Sequence, residues 1–487
     1  MAQPTRYFTD ADRRQYPPVH VVWEITLACD LKCQHCGSRA GRRRPDELST
    51  AECLDLVAQL ARLGTREVTL IGGEAYLRRD WVEIVRAVRG HGMDCTMQTG
   101  GLHLNEERIR QAAEAGVKAI GVSVDGLEEL HDQLRGVKGS YAAAFEALRL
   151  LRKHGVTTSV NTQITAQVLP QLRELCELFI EAGAKNWQVQ LTVAMGRAAD
   201  HPELLLQPYQ LLELMPLLAE LFQTGAERGM LLQPGNNVGY FGPHEALWRG
   251  SGDDRIYWPG CNAGQNTMGI EADGTIKGCP SLPTVGYAGG NVRDLTLEDI
   301  WRNTPELNFN LTRAGEELWG YCHGCYYADA CRGGCTWLSH SLFGRPGNNP
   351  YCHHRVLELN ARGLRERVVP GAPAPGLSFD HGRFDLLLET VDGRAVSNVP
   401  TSGLVQIGRP ARRPSQTLKQ PPRTTRRKSA RRPSLVLCRA CDRHVKSGTR
   451  ACPFCGADVR ASARAYRRRL RAAQDACARL LDLLPSG

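Results

Sequence analysis

The chain has 487 residues, 42% hydrophobic and 23% charged, with a formal net charge of +10; this is long for one ordinary domain and ordinary in composition for a globular protein. No apolar run approaches about 18 residues, and the first ten residues carry no signal-type apolar stretch, so neither a spanning helix nor a secretory signal is expected. The charge is uneven: residues 409–487 hold a net +17 and residues 1–408 a net −7, which assigns any attraction to a polyanion to the tail.

In chain order, residues 19–27 alternate and read as a first strand that ends in a cysteine loop. Ser49-Thr50-Ala51-Glu52 is a capping box opening a helix to about Leu63. Strands over 67–71, 94–99, 119–124, 157–164 and 187–192 then alternate with helices over 81–91, 106–115, 141–154 and 170–182. Six strand–helix units with short apolar strands predict an α/β fold with a parallel sheet. A helix-rich stretch, 208–229, leads to a second cysteine region. Residues 371–434 are rich in Pro, Gly, Ser and Arg and read as linker. Within them, Asp392-Gly393 between 384–390 and 394–398 predicts a short hairpin. The expected units are 19–235, 253–369, the linker 371–434, and 435–487.

Fourteen of the eighteen cysteines fall into ligand-spaced groups of three, seven and four. A reducing compartment keeps such thiols available for metal, and a cytoplasmic location is expected. Cys53, Cys95, Cys176 and Cys477 lie in apolar periodic segments and read as small buried hydrophobes. The first group is Cys29, Cys33 and Cys36, spaced C-x3-C-x2-C. A protein-held cubane normally takes four cysteines, so three leave one iron open; a structural zinc would want four ligands. Gly72-Gly73-Glu74 follows the second strand, and Gly121-Val-Ser123-Val-Asp125-Gly126, His131-Asp132 and Arg135-Gly136 follow later. Alone, Asp125-Gly126 would be an ordinary turn.

Taken together these motifs resemble the radical S-adenosylmethionine (radical SAM) enzymes. The resemblance implies a (β/α)6 partial TIM barrel whose chemistry gathers at the strand C-termini, where Cys29, Gly72, Thr99, Asp125 and Gln190 fall. It implies a [4Fe–4S] cluster on the first three cysteines, with SAM chelating the open iron and being cleaved reductively to a 5′-deoxyadenosyl radical. Gly72, Gly73 and Glu74 would then meet the SAM ammonium, and Ser123, Asp125 and Arg135 would lie in the region that holds its carboxylate, for which a guanidinium is suited. The family more often has Pro after the Glu; here Ala75 stands instead.

The second group is Cys261, Cys279, Cys322, Cys325, Cys331, Cys335 and Cys352, with Gly290-Asn291-Val292-Arg293-Asp294 and Ile300-Trp301 between. It is similar to the SPASM pattern of radical SAM enzymes that modify peptides. By that likeness Cys322, Cys325, Cys331 and Cys352 hold an outer auxiliary iron–sulfur cluster, and Cys261, Cys279 and Cys335 an inner one. No fourth cysteine is apparent for the inner cluster, leaving an open position or a ligand such as Asp253 or Asp254. Two all-cysteine zinc sites would need eight ligands.

The third group, Cys438-x2-Cys441-x10-Cys452-x2-Cys455, is a zinc-ribbon pattern expected to hold Zn2+, with rubredoxin-like iron as the other occupant. Val459, Ala463, Tyr466, Leu470, Ala473, Cys477, Leu480 and Leu484 make a stripe on a final helix crowded by arginines. It is expected to pack on the ribbon; a coiled coil or a docking face for an acidic partner is the sharper alternative.

The expected function is hydrogen abstraction from a peptide or protein, maturing a ribosomally made peptide. Partners would be that substrate, a separate leader-binding protein and an electron donor such as a flavodoxin or ferredoxin. Nucleic acid could meet the basic tail through phosphate neutralisation, though no readout module supports it. In sulfatase-type maturases an Asp follows the second SPASM cysteine as base; Pro280 stands there instead. The alternatives are a tetrapyrrole- or other cofactor-modifying enzyme, a sulfatase-type maturase, which Pro280 disfavours, and a non-catalytic metal-bearing scaffold with a nucleic-acid-binding tail. No catalytic base is assigned.

Overall fold

The computed structural model describes Arg6 and residues 8–249, 257–312, 317–396 and 434–481. Seven parallel strands lie side by side in chain order: β1 (His20–Glu24), β2 (Glu67–Ile71), β3 (Asp94–Thr99), β4 (Ala119–Ser123), β5 (Thr157–Ile164), β6 (Asn186–Leu191) and β7 (Leu231–Pro234). The helices between them are α1 (Thr50–Arg62), α2 (Trp81–Gly90), α3 (Glu106–Ala115), α4 (Glu128–Arg135), α5 (Ser140–Lys153), α6 (Leu172–Glu181) and α7 (Leu211–Glu227). The register pairs Val21 with Val68 and Val160 with Trp187.

Local chemistry explains these elements. Ser49 accepts from Glu52 N while the Glu52 carboxylate accepts from Ser49 N at 2.7 Å, so the expected capping box opens α1. The same helix buries Cys53, Leu56, Val57 and Leu60, at the spacing of one helical face. Along the strands, Val68, Leu70, Cys95 and Met97 are fully buried in the main core. The alternate residues are polar, and Thr69 and Thr96 hydrogen-bond at 2.9 Å across β2 and β3. Alternation of this kind gives a sheet with an apolar face under the helices and a polar opposite face.

The sheet does not stop at β7 or at β1. Strand β8 (Thr267–Ile270) pairs in parallel with β1, and β9 (Thr275–Lys277) and β10 (Ala288–Asn291) continue antiparallel from it. The ten strands run β10-β9-β8-β1-β2-β3-β4-β5-β6-β7. One sheet therefore crosses the boundary predicted between residues 235 and 253. Helices α8 (Thr336–Phe343) and α9 (His353–Asn360) follow.

Two expectations change and a third is extended. Helix α4, unforeseen, occupies the His131–Arg135 motif and ends at Gly136, whose φ is +68°. Strand β7 is a seventh parallel strand. The strand over 384–390 exists as β12 (Arg383–Thr390) and pairs with β11 (Leu364–Ala372), which was not foreseen. Across the Asp392-Gly393 turn the described part of the predicted return segment pairs back as expected, with Thr390 N donating to Arg394 O at 2.9 Å, Val396 N to Leu388 O at 3.2 Å and a bridge from Ala395 to Glu389. The β11–β12 pair carries Val368, Phe384 and Leu386, all buried. The rest of the predicted linker, 397–433, lies outside the described residues. The C-terminal unit has β13 (Leu435–Cys438), β14 (Arg443–Lys446) and α10 (Val459–Leu481). Cys53, Cys95 and Cys176 are fully buried, as expected.

Candidate active site

The loop after β1 carries the first cysteine trio at the C-terminal end of the strands. It is stapled from three sides. Cys29 N donates to Gly41 O at 3.1 Å; Lys32 N donates to Arg135 O at 3.0 Å and Gln34 N to Leu134 O at 2.8 Å. The last turn of α4 thus runs along the loop, which is why Gly136 has no room for a side chain beside Lys32. Arg197, after β6, donates its Nε to Cys33 O at 2.7 Å, and its backbone N–H to Cys36 O at 3.0 Å.

Each of the three sulfurs accepts an N–H. Leu31 N reaches Cys29 Sγ at 3.4 Å, Ala40 N reaches Cys36 Sγ at 3.4 Å, and Arg135 Nη1 reaches Cys33 Sγ at 3.7 Å. Donors aimed at sulfur stabilise thiolate and tune an iron–sulfur centre, so the donor set suits such a cluster. Burial pushes the Cys33 thiol up to about 11, with Arg135 opposing, and raises Cys29 further, with Glu74 adding to it. A bound metal reverses that cost by deprotonating the thiols outright.

Gly72 and Gly73 sit beside the same loop for a steric reason. A Cβ on Gly72 would run into Thr26 O, and one on Gly73 into Ala28 O. The close approach permits Gly73 N to donate to Thr26 O at 2.9 Å and Glu74 N to Ala28 O at 2.7 Å. The glycines thus serve backbone against backbone. Glu74 is buried; its Oε2 accepts from Thr99 Oγ1 and its Oε1 from Gly100 N, both at 2.6 Å. Burial pushes its carboxyl up to about 7 despite those bonds. Glu74, Cys29 and Asp30 bring their ligand atoms within 4.8 Å of one another.

Asp125 is fully buried beyond the end of β4, with Ser123 half-buried two residues before it. It is paired to Arg135 and, at 2.9 Å, to His35 Nε2, and its Oδ1 accepts from Gln163 N at 2.7 Å. Burial would raise this carboxyl, but Arg135 and His35 hold it well below the usual carboxylate range. Arg135 is thereby shared between Asp125 and Cys33 Sγ, while its buried Nε has no hydrogen-bond partner among the described residues.

The seven later cysteines fall into two neighbourhoods. Burial, then Cys261 and Cys279, raise the Cys335 thiol; burial, then Cys352, Cys322 and Cys325, raise Cys331. Burial pushes Cys279 up to about 11 with Cys261 beside it. The four thiols of Cys322, Cys325, Cys331 and Cys352 line one cavity. A set of three and a set of four soft donors suit iron–sulfur centres. Asp253 and Asp254 lie outside the described residues. Met195 joins this region to the first loop: Trp337 Nε1 donates to Met195 Sδ at 3.1 Å, and Met195 packs on Gly37.

Comparison with known proteins decides the family. Residues 23–192 match the Radical SAM superfamily, and residues 261–326 match SPASM, an iron-sulfur cluster-binding domain. The mycofactocin maturase MftC of Mycobacterium ulcerans is 30% identical over 343 residues, 69% of this chain and 88% of that protein. The chain is a radical SAM/SPASM enzyme. An AdoMet-dependent heme synthase of Oleidesulfovibrio alaskensis is 29% identical over 358 residues, 69% of this chain and 87% of that protein. The structure of Streptococcus suis SuiB bound to precursor peptide SuiA shares the fold, with a TM-score of 0.52 and 19% identity over 66% of this chain and 72% of that one.

Membership in this family implies a [4Fe–4S] cluster with SAM, and auxiliary iron–sulfur clusters. Sequence reasoning missed three supports of the enzyme's first site. His35 stands between two ligand-spaced cysteines with no role assigned to it, and Arg197 and Arg39 lie in no motif. Arg39 donates to Asp380 Oδ1 at 2.9 Å and to Asp200 Oδ2 at 2.6 Å, tying the β11–β12 loop to the cluster loop. The positive φ of Arg39, +51°, has no signature in sequence.

In the C-terminal unit Cys438, Cys441, Cys452 and Cys455 bring their sulfurs within 4.8 Å of one another. Cys438 and Cys455 are 3.9 Å apart and Cys441 and Cys452 3.7 Å. A tetrahedral ion with Zn–S bonds of about 2.3 Å sets its sulfurs about 3.8 Å apart, so the tetrad fits one. Among the described side chains the helical stripe packs at its start: Val459 is buried with the cysteines, Tyr466 lies under Arg439 at 4.0 Å, and Leu470 is 44% exposed. The side chains from Cys477 onward lie outside the described residues. No described helix is long and apolar enough to cross a membrane.

Proposed function

We propose that this radical SAM/SPASM enzyme matures a peptide by removing a hydrogen atom from an unactivated C–H. The observation that carries the reading is the 30% identity to a maturase along 88% of that protein, with the SPASM cysteines in place. In this reading Cys29, Cys33 and Cys36 hold the SAM cluster, Glu74 meets the SAM ammonium, and Ser123 and Arg135 meet its carboxylate. When bound, cluster and SAM supply the reductive cleavage whose product takes the substrate hydrogen.

The chain's own residues prepare that event. Thr99 and Gly100 fix the Glu74 carboxylate in place, and a cation arriving there would offset the burial that keeps it protonated up to about 7. Asp125 keeps Arg135 ordered, so the guanidinium needs little reorganisation to grip a second carboxylate. The two auxiliary sites hold iron–sulfur clusters on Cys261, Cys279 and Cys335 and on Cys322, Cys325, Cys331 and Cys352. Cys438, Cys441, Cys452 and Cys455 hold zinc. A separate leader-binding protein and a flavodoxin- or ferredoxin-type donor complete the system.

Tetrapyrrole modification is the second reading, favoured by the 29% identity to a heme synthase. Co-expression with a small peptide encoded beside the gene separates the two. A mass change in the peptide, with deuterium passing from labelled peptide into 5′-deoxyadenosine, is expected. Turnover of a tetrapyrrole carboxylate, with none of any such peptide, overturns the peptide reading.

A further inference from the structure

The C-terminal unit is no loose appendage. Its own buried cluster consists of Cys438, Val445, Cys452 and Val459, two of them ligand residues, while Leu435 belongs to the main core of the enzyme. So small a core does not hold a fold by itself; the metal and the body of the protein must do so.

Among the described residues the unit meets the body at the wall of the outer auxiliary site. Tyr327 lies between Cys325 and Cys331. Its ring stacks on Phe241 at 4.1 Å and on Phe454 at 5.9 Å. Phe454 stands between Cys452 and Cys455 of the tetrad. His354, two residues after Cys352, meets Tyr327 edge-on at 4.8 Å and Phe454 at 5.7 Å. Tyr327 and His354 both line the cavity that holds the four outer thiols.

Polar contacts fasten the same patch. Tyr327 donates its hydroxyl to His444 O at 2.6 Å, and Lys446 N donates to Tyr326 OH at 2.8 Å. Arg443 donates to Glu358 Oε1 at 3.1 Å and to His354 Nδ1, and its guanidinium lies 3.7 Å from the centre of the Phe454 ring. One knuckle of the tetrad therefore presents an aromatic ring, and the first residue of β14 presents a cation, to the residues flanking Cys325 and Cys352.

We propose that the tetrad unit is a metal-dependent cover over the outer iron–sulfur site, with Phe454 and Arg443 as its contact residues. The tetrad's ion is structural in this account: it sets the knuckle so that Phe454 meets Tyr327, and losing it opens the outer site to water. The proposal rests on the assignment of Cys322, Cys325, Cys331 and Cys352 to an auxiliary cluster. It names the role of the added unit, on which that assignment is silent.

The test uses the full chain reconstituted with iron and sulfide and loaded with zinc. Iron release to a ferrous chelator is followed in the intact enzyme and in Phe454→Ser, Phe454→Leu, Cys455→Ser and Tyr327→Phe, with the electron paramagnetic resonance of each cluster recorded. Loss of a half-buried ring that packs on Tyr327 favours local opening, so release of the outer-site iron is expected to quicken roughly tenfold or more in Phe454→Ser. Cys455→Ser should behave alike, Phe454→Leu should stay near the intact rate, and the SAM-cluster signal should not change. Tyr327→Phe deletes one hydroxyl without unfolding anything and should quicken release by a smaller factor. Unchanged release in Phe454→Ser, Cys455→Ser and Tyr327→Phe, with the outer cluster's signal present, overturns the cover alone. An intact enzyme that never assembles an outer cluster overturns the assignment beneath it, and the cover with it.

Discussion

Asp125→Asn isolates the electrostatic joint between the barrel and its cluster loop. Asp125 has no exposed surface, and its carboxylate answers two groups, Arg135 and His35, besides the N–H of Gln163. Since those neighbours hold it well below the usual carboxylate range, it is ionised throughout the working range of pH. Asparagine keeps the shape and one acceptor oxygen but leaves the buried Arg135 guanidinium facing a neutral amide. Removing one partner of a buried ion pair costs about 3–5 kcal/mol. The retained bond to Gln163, worth about 0.5–1.5 kcal/mol, puts the expectation at the low end, about 3 kcal/mol. Asp125→Asn with Arg135→Gln removes both charges and should regain part of that loss. Anaerobic urea unfolding, read by circular dichroism and by the absorbance of the SAM cluster, measures both. A single variant within about 0.5 kcal/mol of the intact enzyme, or a double variant less stable than the single, refutes the reasoning.

Further outcomes follow from other contacts. Gly73→Ala puts a Cβ into Ala28 O and should break the Glu74 N bond to the same oxygen; iron content after reconstitution should fall sharply, and normal loading would contradict it. Arg197→Ala removes the bonds to Cys33 O and Ala40 O and should speed loss of the SAM cluster to chelator while leaving auxiliary iron in place. Burial pushes Glu24 up to about 7, with Arg44 opposing and Glu271 adding. Its folded-state value lies above the unfolded one, so the stability it contributes is full below about pH 4.5 and lost as pH rises through about 7. Glu24→Gln should flatten that slope and stabilise the enzyme near pH 8; an unchanged pH profile of unfolding would contradict the burial argument.

Much of the barrel was legible because its strands and helices carry local signals. The bounds of β2, β3, β5 and α3 coincide with the sequence reading, since alternation, caps and glycine stops agree there. Helix α4 escaped because Leu127 precedes it with no side-chain cap and its eight residues are mostly polar; Gly136 was the one available signal. Strand β7 has four residues, ends in Pro234 and exposes Leu231 as an edge strand does. The strands β8–β10, of three or four residues, are too short for any periodicity to show.

The site divides in the same way. Cysteine spacing picks out fourteen ligand candidates in groups of three, seven and four, because spacing is a property of the chain alone. The pairing of His35 with Asp125, the reach of Arg197 to Cys33 O and the docking of Phe454 on Tyr327 join residues 90 or more positions apart. Only folding brings such residues together, and no local pattern encodes them.

Reductive cleavage of SAM tests the central claim most directly. The anaerobic, iron-loaded enzyme, given a one-electron reductant and SAM, is predicted to form 5′-deoxyadenosine and methionine, and Cys33→Ala to form neither. A fully loaded enzyme whose first cluster neither shifts its resonance on adding SAM nor yields 5′-deoxyadenosine would contradict the account.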